Sequence, residues 1–536
     1  MRVAHRYNHL AGIRAMTDEP CKSPLRGGTA ELTPKQRSLI NRGLLLFIMF
    51  GAALLRLYHI DQPFIDVVGW READYAIIAD NFFQGHRNIF LPEVSWNGPG
   101  QNYVGYEFQL TTYLAALLYH LFGEADWVGR GVSVVFGVWG VFAFYNLVRR
   151  AFDELRALVS CAVLAVMPGA VFVDRSFIPD PVMVALVVTS FWMLLAYVQD
   201  GRTKYLGWAV VTGIFGLLTK ISGLFAGLPM IYAALTAPAD NSIRSKYLMR
   251  LIVAFTFVLA PVMGYYAWAL HVAHAYPPYH LAARGGWVWD VGFDTFLKAH
   301  FYLRDFFHYA RIRWGASLLV LGLVGLLLSA APSERSQHLR WLFHFWFLSG
   351  IIFYALGAKE LTVNPHNLHI FDPALAGLAA QGLLVAGAAL ARFSSPVIGR
   401  AAPYAYTGYE LGTALARVSQ PSDLVITVSV WEYDPVAIYY SRRRGWIFPP
   451  FWPEVGARKG RLWGIENESE AIQMFDRLRL DGAQWFGIVS GPGDWGDQRR
   501  RFRDTAPRLL AHIERTSEVV EDNSDWTIYR IRPLSK

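Results

Sequence analysis

The chain has 536 residues, of which 54% are hydrophobic, 15% aromatic and 17% charged, and its formal net charge is +8. A soluble protein of this length would normally divide into several domains and carry more charge. The basic residues lie mostly in the N-terminal tail, between long apolar runs and near the C-terminus, which indicates membrane orientation and not nucleic-acid binding. We therefore expect an integral membrane protein whose surroundings are the lipid bilayer, with no nucleic acid as a partner.

The first predicted elements are a tail and a series of membrane spans. Residues 1–42 are polar and basic, which predicts a disordered cytoplasmic tail. A spanning helix needs about 20 apolar residues, because backbone polar groups in lipid must be paired within the chain. By that criterion about ten segments qualify and define a membrane domain over residues 43–391. They lie near residues 43–59, 131–148, 156–173, 181–198, 205–219, 222–236, 248–270, 315–331, 341–357 and 373–391.

The loops between these runs predict which side each one faces. Basic residues such as Arg149, Arg202, Arg244 and Arg335 fall in alternate loops. By the positive-inside rule those loops and the N-terminus are cytoplasmic. The opposite face then receives residues 60–130, 174–180, 219–221, 271–313 and 358–372, which hold most of the unusual polar residues of the membrane half.

The first outer loop carries acids on two predicted helices. The stretch that begins WREADYAIIADNF (70–82) predicts a helix in the membrane interface over residues 71–84, where Arg71 and Asp74 share a face and can pair, with Glu72 beside them. The alternative is a surface ion pair on an anchor helix. Glu107 opens the next apolar helix, where a carboxylate is favourable at the positive end of the helix dipole. It is either a site acid or only a dipole partner.

Three later outer segments add further candidates. Arg175 and Asp180 lie in RSFIPDP (175–181), and Lys220 lies in GLLTKISG between two spans. Charges at membrane depth are costly, so they are functional candidates, although Lys220 could also be a snorkelling anchor. NPHNLHIFDP (364–373) brings His366 and His369 to the same face. The two histidines could bind a metal on a helix, but the sequence shows no third ligand, so the metal stays unknown.

From about residue 400 the composition becomes that of a small α/β domain, 400–536, of about 130 residues. Strands are predicted at 423–430, 485–490 and 526–531, and helices at 406–418, 468–479 and 499–515. Ten crossings from a cytoplasmic N-terminus would place this domain in the cytoplasm.

Acids and cations together on one membrane face favour sugar transfer from a phosphate-linked lipid. A carboxylate removes the acceptor's proton, and cations stabilise the departing phosphate. One alternative is a transporter or flippase of lipid-linked saccharides, which would favour polar residues deep in several spans and pseudo-repeated halves. Another is a non-catalytic membrane scaffold whose C-terminal domain binds a partner. Neither alternative requires acids and cations gathered at one face.

Several quoted stretches resemble the bacterial family 39-like glycosyltransferases of the GT-C membrane superfamily, which are related to protein O-mannosyltransferases and lipid A aminoarabinose transferases. They are WREADYAIIADNFFQG, EFQLTTYLAALLYHLFG, GR at 129–130, RSFIPDP and GLLTK. The resemblance is closer over residues 43–236 than over 237–391. It implies a polytopic α-helical GT-C fold of about 10–11 transmembrane helices with a small C-terminal α/β domain.

The same resemblance implies an activity. The expected reaction is the inverting transfer of a sugar from a polyprenyl-phosphate donor to an envelope acceptor, which is a lipid, a glycan or a protein. The expected place is the periplasmic face of the bacterial inner membrane. No cofactor is certain, and a divalent metal is left open. The resemblance also favours the periplasm for the C-terminal domain, against the count of ten crossings.

Site residues follow from the matching positions. The resemblance makes Asp74 the general base, with Glu72 as the alternative because the family's acidic pair aligns with Arg71 and Glu72. Arg71 becomes the orienting partner of the base. The remaining substrate-binding candidates are Glu107, Arg175, Asp180, Lys220 and His366.

Overall fold

The structure is a computed structural model. It describes residues 33–236, 241–281, 301–327, 334–357, 361, 364–386, 403–429, 434–449, 467–490 and 497–533. Most of the predicted basic tail, residues 1–32, lies outside the described residues.

The first helix begins earlier than predicted. Helix α1 covers Pro34–Leu57, so residues 34–42 are helical where a disordered tail was expected. Gln36 Oε1 accepts a hydrogen bond from Thr33 N at 2.9 Å, and Thr33 Oγ1 accepts one from Gln36 N at 3.3 Å. This reciprocal capping box, with Pro34 in the first helical position, starts the helix ahead of the apolar run.

An outer segment, residues 58–125, follows α1 and holds two short helices. Helix α2 covers Gly69–Phe83, and helix α3 covers Leu110–Phe122. The interface helix predicted at 71–84 is therefore present. The prediction placed one apolar face against the membrane, whereas most residues of the helix are buried in the structure. Because α2 packs against α3 and against the C-terminal domain, its acids at positions 72 and 74 are also buried.

Six described helices are long and apolar enough to cross a membrane, which agrees with a multi-pass membrane protein. They are α1, α4 (Asp126–Ala151), α7 (Asp180–Asp200), α10 (Asn241–Ala275), α11 (Phe301–Leu327) and the helical segment Gln337–Leu356, which ends in α12 (Leu342–Leu356). The number is seven if the bent pair α5 (Glu154–Val166) and α6 (Pro168–Arg175) counts as one span.

The other segments predicted as spans form shorter apolar helices in the described part of the chain. They are α8 (Thr203–Thr219), a 3-10 helix (Ile221–Ala226) that continues into α9 (Gly227–Leu235), and α13 (Asp372–Ala386). A further 3-10 helix, Pro365–Phe371, leads directly into α13.

The predicted span 156–173 is bent by 62° between α5 and α6. Pro168 begins α6, and Met167 before it has extended dihedrals, with φ −62° and ψ 117°. Pro168 explains the break, because proline disfavours helical geometry in the residue before it and has no N–H to donate the next helical hydrogen bond. The bend places Asp174 and Arg175 in the protein interior.

Glycines permit the closest helix packing in the membrane half. A Cβ at Gly325 of α11 would collide with the backbone oxygen of Leu378 in α13. A Cβ at Gly382 of α13 would collide with the backbone oxygen of Leu321. Small residues at such crossings let two backbones touch, which stabilises helix pairs in lipid through van der Waals contact.

The C-terminal domain is a five-stranded sheet with helices, in the strand order β2-β1-β3-β5-β4. Strands β1, β2 and β3 are parallel, and β5 pairs antiparallel with both β3 and β4. Its elements are α14 (Pro403–Val418), β1 (Leu424–Val428), α15 (Val436–Ser441), β2 (Arg444–Ile447), α16 (Glu468–Leu480), β3 (Ala483–Val489), α17 (Gln498–Thr505), α18 (Pro507–Thr516), β4 (Ser517–Asp522) and β5 (Trp526–Ile531).

The three predicted strands are present, and two further strands were missed. Strand β2 has only four residues and begins Arg-Gly, and β4 carries three acids, so neither shows the apolar pattern of a buried strand. The single helix predicted at 499–515 is divided into α17 and α18 at Ala506, which precedes Pro507.

The C-terminal domain is seated on the outer segment and on the first residue of α4. The hydroxyls of Tyr439 and Tyr440 each donate to Asp126 at 2.8 Å, and Arg442 Nη1 donates to Asp80 at 3.1 Å. The domain therefore lies on the same face as α2, and the chain must cross the membrane an even number of times between them. The ten predicted spans would place nine crossings between them, so that count does not fit these contacts, and the periplasmic side stays a prediction. Residues 387–402, which join α13 to the domain, lie outside the described residues.

Candidate active site

Asp74 lies on α2 with 4% of its surface exposed, and two donors fix its carboxylate. Trp96 Nε1 donates to Oδ1 at 2.8 Å, and the Tyr106 hydroxyl donates to Oδ2 at 2.5 Å. Both donors come from the irregular chain between α2 and α3. A carboxylate offers about four lone-pair positions, so each oxygen keeps capacity for a further hydrogen bond.

The surroundings of Asp74 tune its proton affinity. Burial raises the pKa of the Asp74 carboxyl, and the hydrogen bonds from Tyr106 and Trp96 oppose that rise. The charge of Arg71 also lowers this pKa, whereas Glu107 raises it. Burial raises the pKa of Tyr106 well above its usual value, so its hydroxyl stays protonated and can donate. A fixed carboxylate with a raised pKa has the properties of a general base.

Arg71 is half-buried and lies among aromatic rings. Its guanidinium carbon is 5.3 Å from the ring centre of Trp70, 5.5 Å from that of Tyr75 and 5.9 Å from that of Tyr106. Among the described residues no ion pair joins Arg71 to Asp74 or to another acid, so the direct pair expected from their spacing is not formed. The rings hold the cation by cation–π attraction and leave its donors available to an anionic ligand.

Glu107 is buried beside this cluster and accepts a hydrogen bond from the Tyr75 hydroxyl. The next residue, Phe108, donates its backbone N–H to the oxygen of Leu218 at 3.0 Å. Because Leu218 precedes Lys220 by two residues, this bond brings the chain at Glu107 to the end of α8. The outer segment and the Lys220 turn are thus joined through the backbone.

Lys220 and Asp180 form a buried pair at that turn. Lys220 Nζ is 2.8 Å from Asp180 Oδ1 and 2.9 Å from Oδ2, and it reaches Asn367 Oδ1 at 3.4 Å. His366 lies nearby. Burial, and to a smaller extent the positive charge of Lys220, lower the pKa of His366 to about 3. Its ring is therefore neutral. Arg71 also lowers the pKa of His366, so the two clusters are electrostatically coupled.

The structure gives Glu72 and Arg175 buried partners of their own. Glu72 is fully buried, binds Arg130 Nε at 2.9 Å and accepts the backbone N–H of Phe177 at 2.9 Å. Arg175 is also fully buried and binds Asp66 Oδ2 at 2.5 Å. These bonds join α2 to α4 and join the end of α6 to α2 and to the chain just before it.

His369 does not join His366 at a metal site. Its Nδ1 is 2.7 Å from Asp372 Oδ2, and its Nε2 is 3.3 Å from Asp174 Oδ1. Arg56 pairs with Asp174 at 2.8 Å, and Arg313 pairs with Asp372 at 2.6 Å. Within the described residues, no group of three or more His, Cys, Asp and Glu side chains is arranged to hold a metal ion.

Sequence reasoning placed Asp74, Glu107, Lys220, Asp180 and His366 among the site candidates, and the structure gathers them in two linked clusters. It missed Trp96 and Tyr106, the two donors to Asp74. Trp96 lies in an irregular loop, SWNGPG, where no periodic pattern indicates which way a side chain points. Tyr106 directly precedes Glu107, so its proximity to a candidate acid was the one available signal.

The chain is similar in sequence or in fold to several known proteins. The family model described as dolichyl-phosphate-mannose-protein mannosyltransferase matches residues 109–266. A curated relative, the putative mannosyltransferase YkcB of Bacillus subtilis (strain 168), is 24% identical over 228 residues. That match spans 41% of this chain and only 29% of the relative's length.

Among solved structures, ArnT from Cupriavidus metallidurans bound to undecaprenyl phosphate matches with a TM-score of 0.60 and 13% identity. The match covers 91% of this chain and 98% of ArnT. The Archaeoglobus fulgidus oligosaccharyltransferase in complex with Zn and sulfate matches with a TM-score of 0.55 and 15% identity, over 90% of this chain and 73% of that one. At these identities the structural matches establish the fold.

The chain is thus a multi-pass, mostly helical membrane protein with a small C-terminal sheet domain, and its fold is similar to those of ArnT and the oligosaccharyltransferase. The family model and the curated relative are both mannosyltransferase matches. Together, these findings confirm the resemblance to the family 39-like glycosyltransferases of the GT-C superfamily.

Proposed function

We propose that this protein is an inverting glycosyltransferase that moves a sugar from a polyprenyl-phosphate donor to a hydroxyl-bearing envelope acceptor at the periplasmic face of the inner membrane. The observation that supports it most is the position of Asp74. On a GT-C fold, this buried carboxylate is held by two donors and lies close to a half-buried arginine that has no acid partner among the described residues.

In the proposed reaction Asp74 takes the proton of the acceptor hydroxyl while the acceptor oxygen attacks the anomeric carbon. The bond from that carbon to the donor's phosphate oxygen breaks, and its electron pair leaves with the polyprenyl phosphate. Attack opposite the leaving group inverts the anomeric configuration. Trp96 and Tyr106 keep the carboxylate oriented throughout.

The negative charge that develops on the leaving phosphate requires cations. Arg71 is the best placed, because its guanidinium is held by rings and has no carboxylate partner within the described chain. Lys220 is a second candidate, held in position by Asp180 and Asn367. Glu107 is proposed to bind the sugar hydroxyls, and neutral His366 to serve as a hydrogen-bond partner of the donor.

Two predicted site residues take a different place in this proposal. The burial of Glu72 and its bonds to Arg130 and to the Phe177 amide favour a positioning role over that of the base. The bond from Arg175 to Asp66 likewise favours a role in holding the outer segment. The proposed steps are written with protein side chains alone, and the described residues form no group of three metal ligands.

The experiment uses membranes that contain the wild type, Asp74→Asn or the control Asp61→Asn, which changes an exposed acid in the same outer segment. Labelled undecaprenyl-phosphate sugars and cell-envelope extract are supplied, and release of free polyprenyl phosphate is measured. We expect release by the wild type and by Asp61→Asn, and none by Asp74→Asn. No release from the wild type with any donor would contradict the proposed function and favour transport or a scaffold.

A further inference from the structure

A loop between α2 and α3 connects Asp74 to the C-terminal domain. Residues 93–103 form a narrow loop closed by a bridge between Glu93 and Tyr103 and by a bond from Val94 N to Asn102 O at 2.9 Å. Trp96 lies on this loop and donates to Asp74. The position of the loop therefore decides whether the indole reaches the carboxylate.

Strand β2 of the C-terminal domain binds the tip of this loop through the backbone. Gly98 N donates to Gly445 O at 2.6 Å, and Asn97 forms an antiparallel bridge with Trp446. These contacts begin one residue after Trp96. Strand β2 is an edge strand of the sheet, and an edge with free backbone groups can pair with an added segment.

Side chains reinforce the same contact. Arg444 Nη2 binds Glu93 Oε1 at 3.2 Å and the backbone oxygen of Gly100 at 3.0 Å. Glu93 is 1% exposed, and a buried carboxylate without partners would destabilise the fold. Arg444 and the adjacent His86 are its partners. Arg444 thereby contacts both sides of the loop.

The indole of Trp446 occupies the space that a side chain on residue 98 would need. A Cβ at Gly98 would lie 2.9 Å from Trp446 Nε1, and the φ of Gly98 is +95°, which disfavours other residues. Glycine is required here by both close packing and backbone conformation. The contact is therefore specific to this pairing of loop and strand.

We propose that strand β2 of the C-terminal domain positions the catalytic base, because it holds the 93–103 loop so that Trp96 meets Asp74. Arg444 and Trp446 are then positioning residues for transfer, although neither contacts Asp74. This inference rests on the proposed function, in which Asp74 is the base. The C-terminal domain then contributes directly to the geometry of the active site.

The contacts of α15 supply the rigidity that such a role needs. Tyr440 accepts the backbone N–H of Phe64 at 2.5 Å and donates to Asp126, and Arg442 binds Asp80 on α2. Strand β2 follows α15 after two residues. The domain is thus fixed to α2, which carries Asp74, and to the loop, which carries Trp96.

The kinetic test compares Arg444→Ala and Trp446→Ala with Arg417→Ala. Arg417 also binds a glutamate through Nη2, but its partner Glu521 lies within the C-terminal domain itself. Loss of a positioned hydrogen bond in the transition state lowers kcat, so we expect kcat to fall about tenfold in the first two variants with little change in KM. Arg417→Ala should match the wild type, and Arg444→Lys should recover part of the loss.

Combination with Trp96→Phe shows whether the effect passes through Trp96. If it does, Trp446→Ala should cause no further loss of kcat in the Trp96→Phe background, because the two changes remove the same interaction. Independent, multiplying losses would overturn the proposal. So would kcat values for Arg444→Ala and Trp446→Ala equal to that of the wild type.

Hydrogen exchange tests the contact without any activity. In Arg444→Ala and Trp446→Ala, peptides that contain residues 93–103 should exchange faster than in the wild type, and in Arg417→Ala they should not. Unchanged exchange would show that β2 does not anchor the 93–103 loop, whatever the measured activity of the variants. If the wild type releases no polyprenyl phosphate, the proposed function fails, and the role of β2 in catalysis fails with it. The hydrogen-exchange result still decides whether β2 holds the 93–103 loop.

Discussion

At the residue scale, the environment of Asp74 combines two opposing effects. Burial raises the pKa of the carboxyl, and the donors Tyr106 and Trp96 lower it, so the residue can be deprotonated and still accept a proton. The charged groups that act on it are Arg71 on the same helix and Glu107 from the loop. The donors, and not a direct arginine pair, set the orientation.

Removal of one donor should shift the pH dependence of transfer. In Trp96→Phe the carboxylate loses a hydrogen bond that favours its charged form, so the pKa of Asp74 rises. The base acts when deprotonated, so the acid limb of the pH profile of kcat/KM should move to higher pH. Trp127→Phe, at a 40% exposed tryptophan, is the control. An acid limb that coincides with that of the wild type would exclude Trp96 as a partner of the base.

The sequence indicated the residue types of the site but not their partners. Arg71 and Asp74 were identified because charges stand out beside apolar runs, yet spacing could not show that Trp96 and Tyr106 would reach the carboxylate. The resemblance made Asp74 the base and left Glu72 as the alternative. In the structure Glu72 binds Arg130, a partner 58 positions along the chain, whereas Asp74 accepts hydrogen bonds from Trp96 and Tyr106.

At the element scale, the 3-10 helix Pro365–Phe371 connects the site to the membrane helices. Asn367 contacts Lys220 on one side, while His369 lies between Asp174 of α6 and Asp372 of α13. Burial alone would lower the pKa of His369, but its bonds to Asp174 and Asp372 raise it to about 9. A protonated imidazole thus holds two carboxylates, and the 3-10 helix stays in place.

This arrangement predicts a loss of stability at alkaline pH. Because the folded-state pKa is raised from 6.5 to about 9, the contribution of His369 is complete below pH 6.5 and is lost as the pH rises through 9. It amounts to about 3 kcal/mol at most. The Tm of the purified protein in detergent should therefore fall between pH 7 and 9.5, and His369→Gln should flatten that fall. A fall of equal steepness in the variant would rule out His369 as its source.

Elements were predictable where one local signal dominated and not where tertiary contacts decided. Apolar length predicted the long membrane helices but also counted shorter apolar helices as spans, and the apolar runs near the C-terminus predicted β1, β3 and β5. The start of α1 at Pro34 was readable from Thr33 and Gln36, a capping signal that the apolar criterion ignores. Strand β2 forms through its pairing with β1 and with the 93–103 loop. Its four residues show no apolar pattern that would predict a strand.

At the scale of the whole molecule, the C-terminal domain lies on the face that holds Asp74. Contacts of Tyr439 and Tyr440 with Asp126 at the start of α4, and of Arg442 with Asp80 of α2, place it there. A count of apolar runs could not establish this, because one misjudged crossing reverses the side of everything that follows. The positive-inside rule then makes this shared face periplasmic in our proposal.

Cysteine labelling of intact cells tests that orientation. In a background without Cys21 and Cys161, the variants Asp61→Cys and Arg417→Cys should both react with a membrane-impermeant maleimide. Lys204→Cys, in a predicted cytoplasmic loop, should react only after the inner membrane is permeabilised. If Asp61→Cys and Arg417→Cys reacted from opposite sides, the seating of the domain on the outer segment would be contradicted.

The most direct measurement of the central claim is the rate of polyprenyl-phosphate release per folded molecule in Asp74→Asn and Glu72→Gln. We predict that Asp74→Asn keeps the wild-type amount of folded protein in the membrane but releases no polyprenyl phosphate. Glu72→Gln should mainly reduce the amount of folded protein, because it weakens the buried bond to Arg130. Normal release by Asp74→Asn, with release abolished in folded Glu72→Gln, would contradict the account and make Glu72 the base.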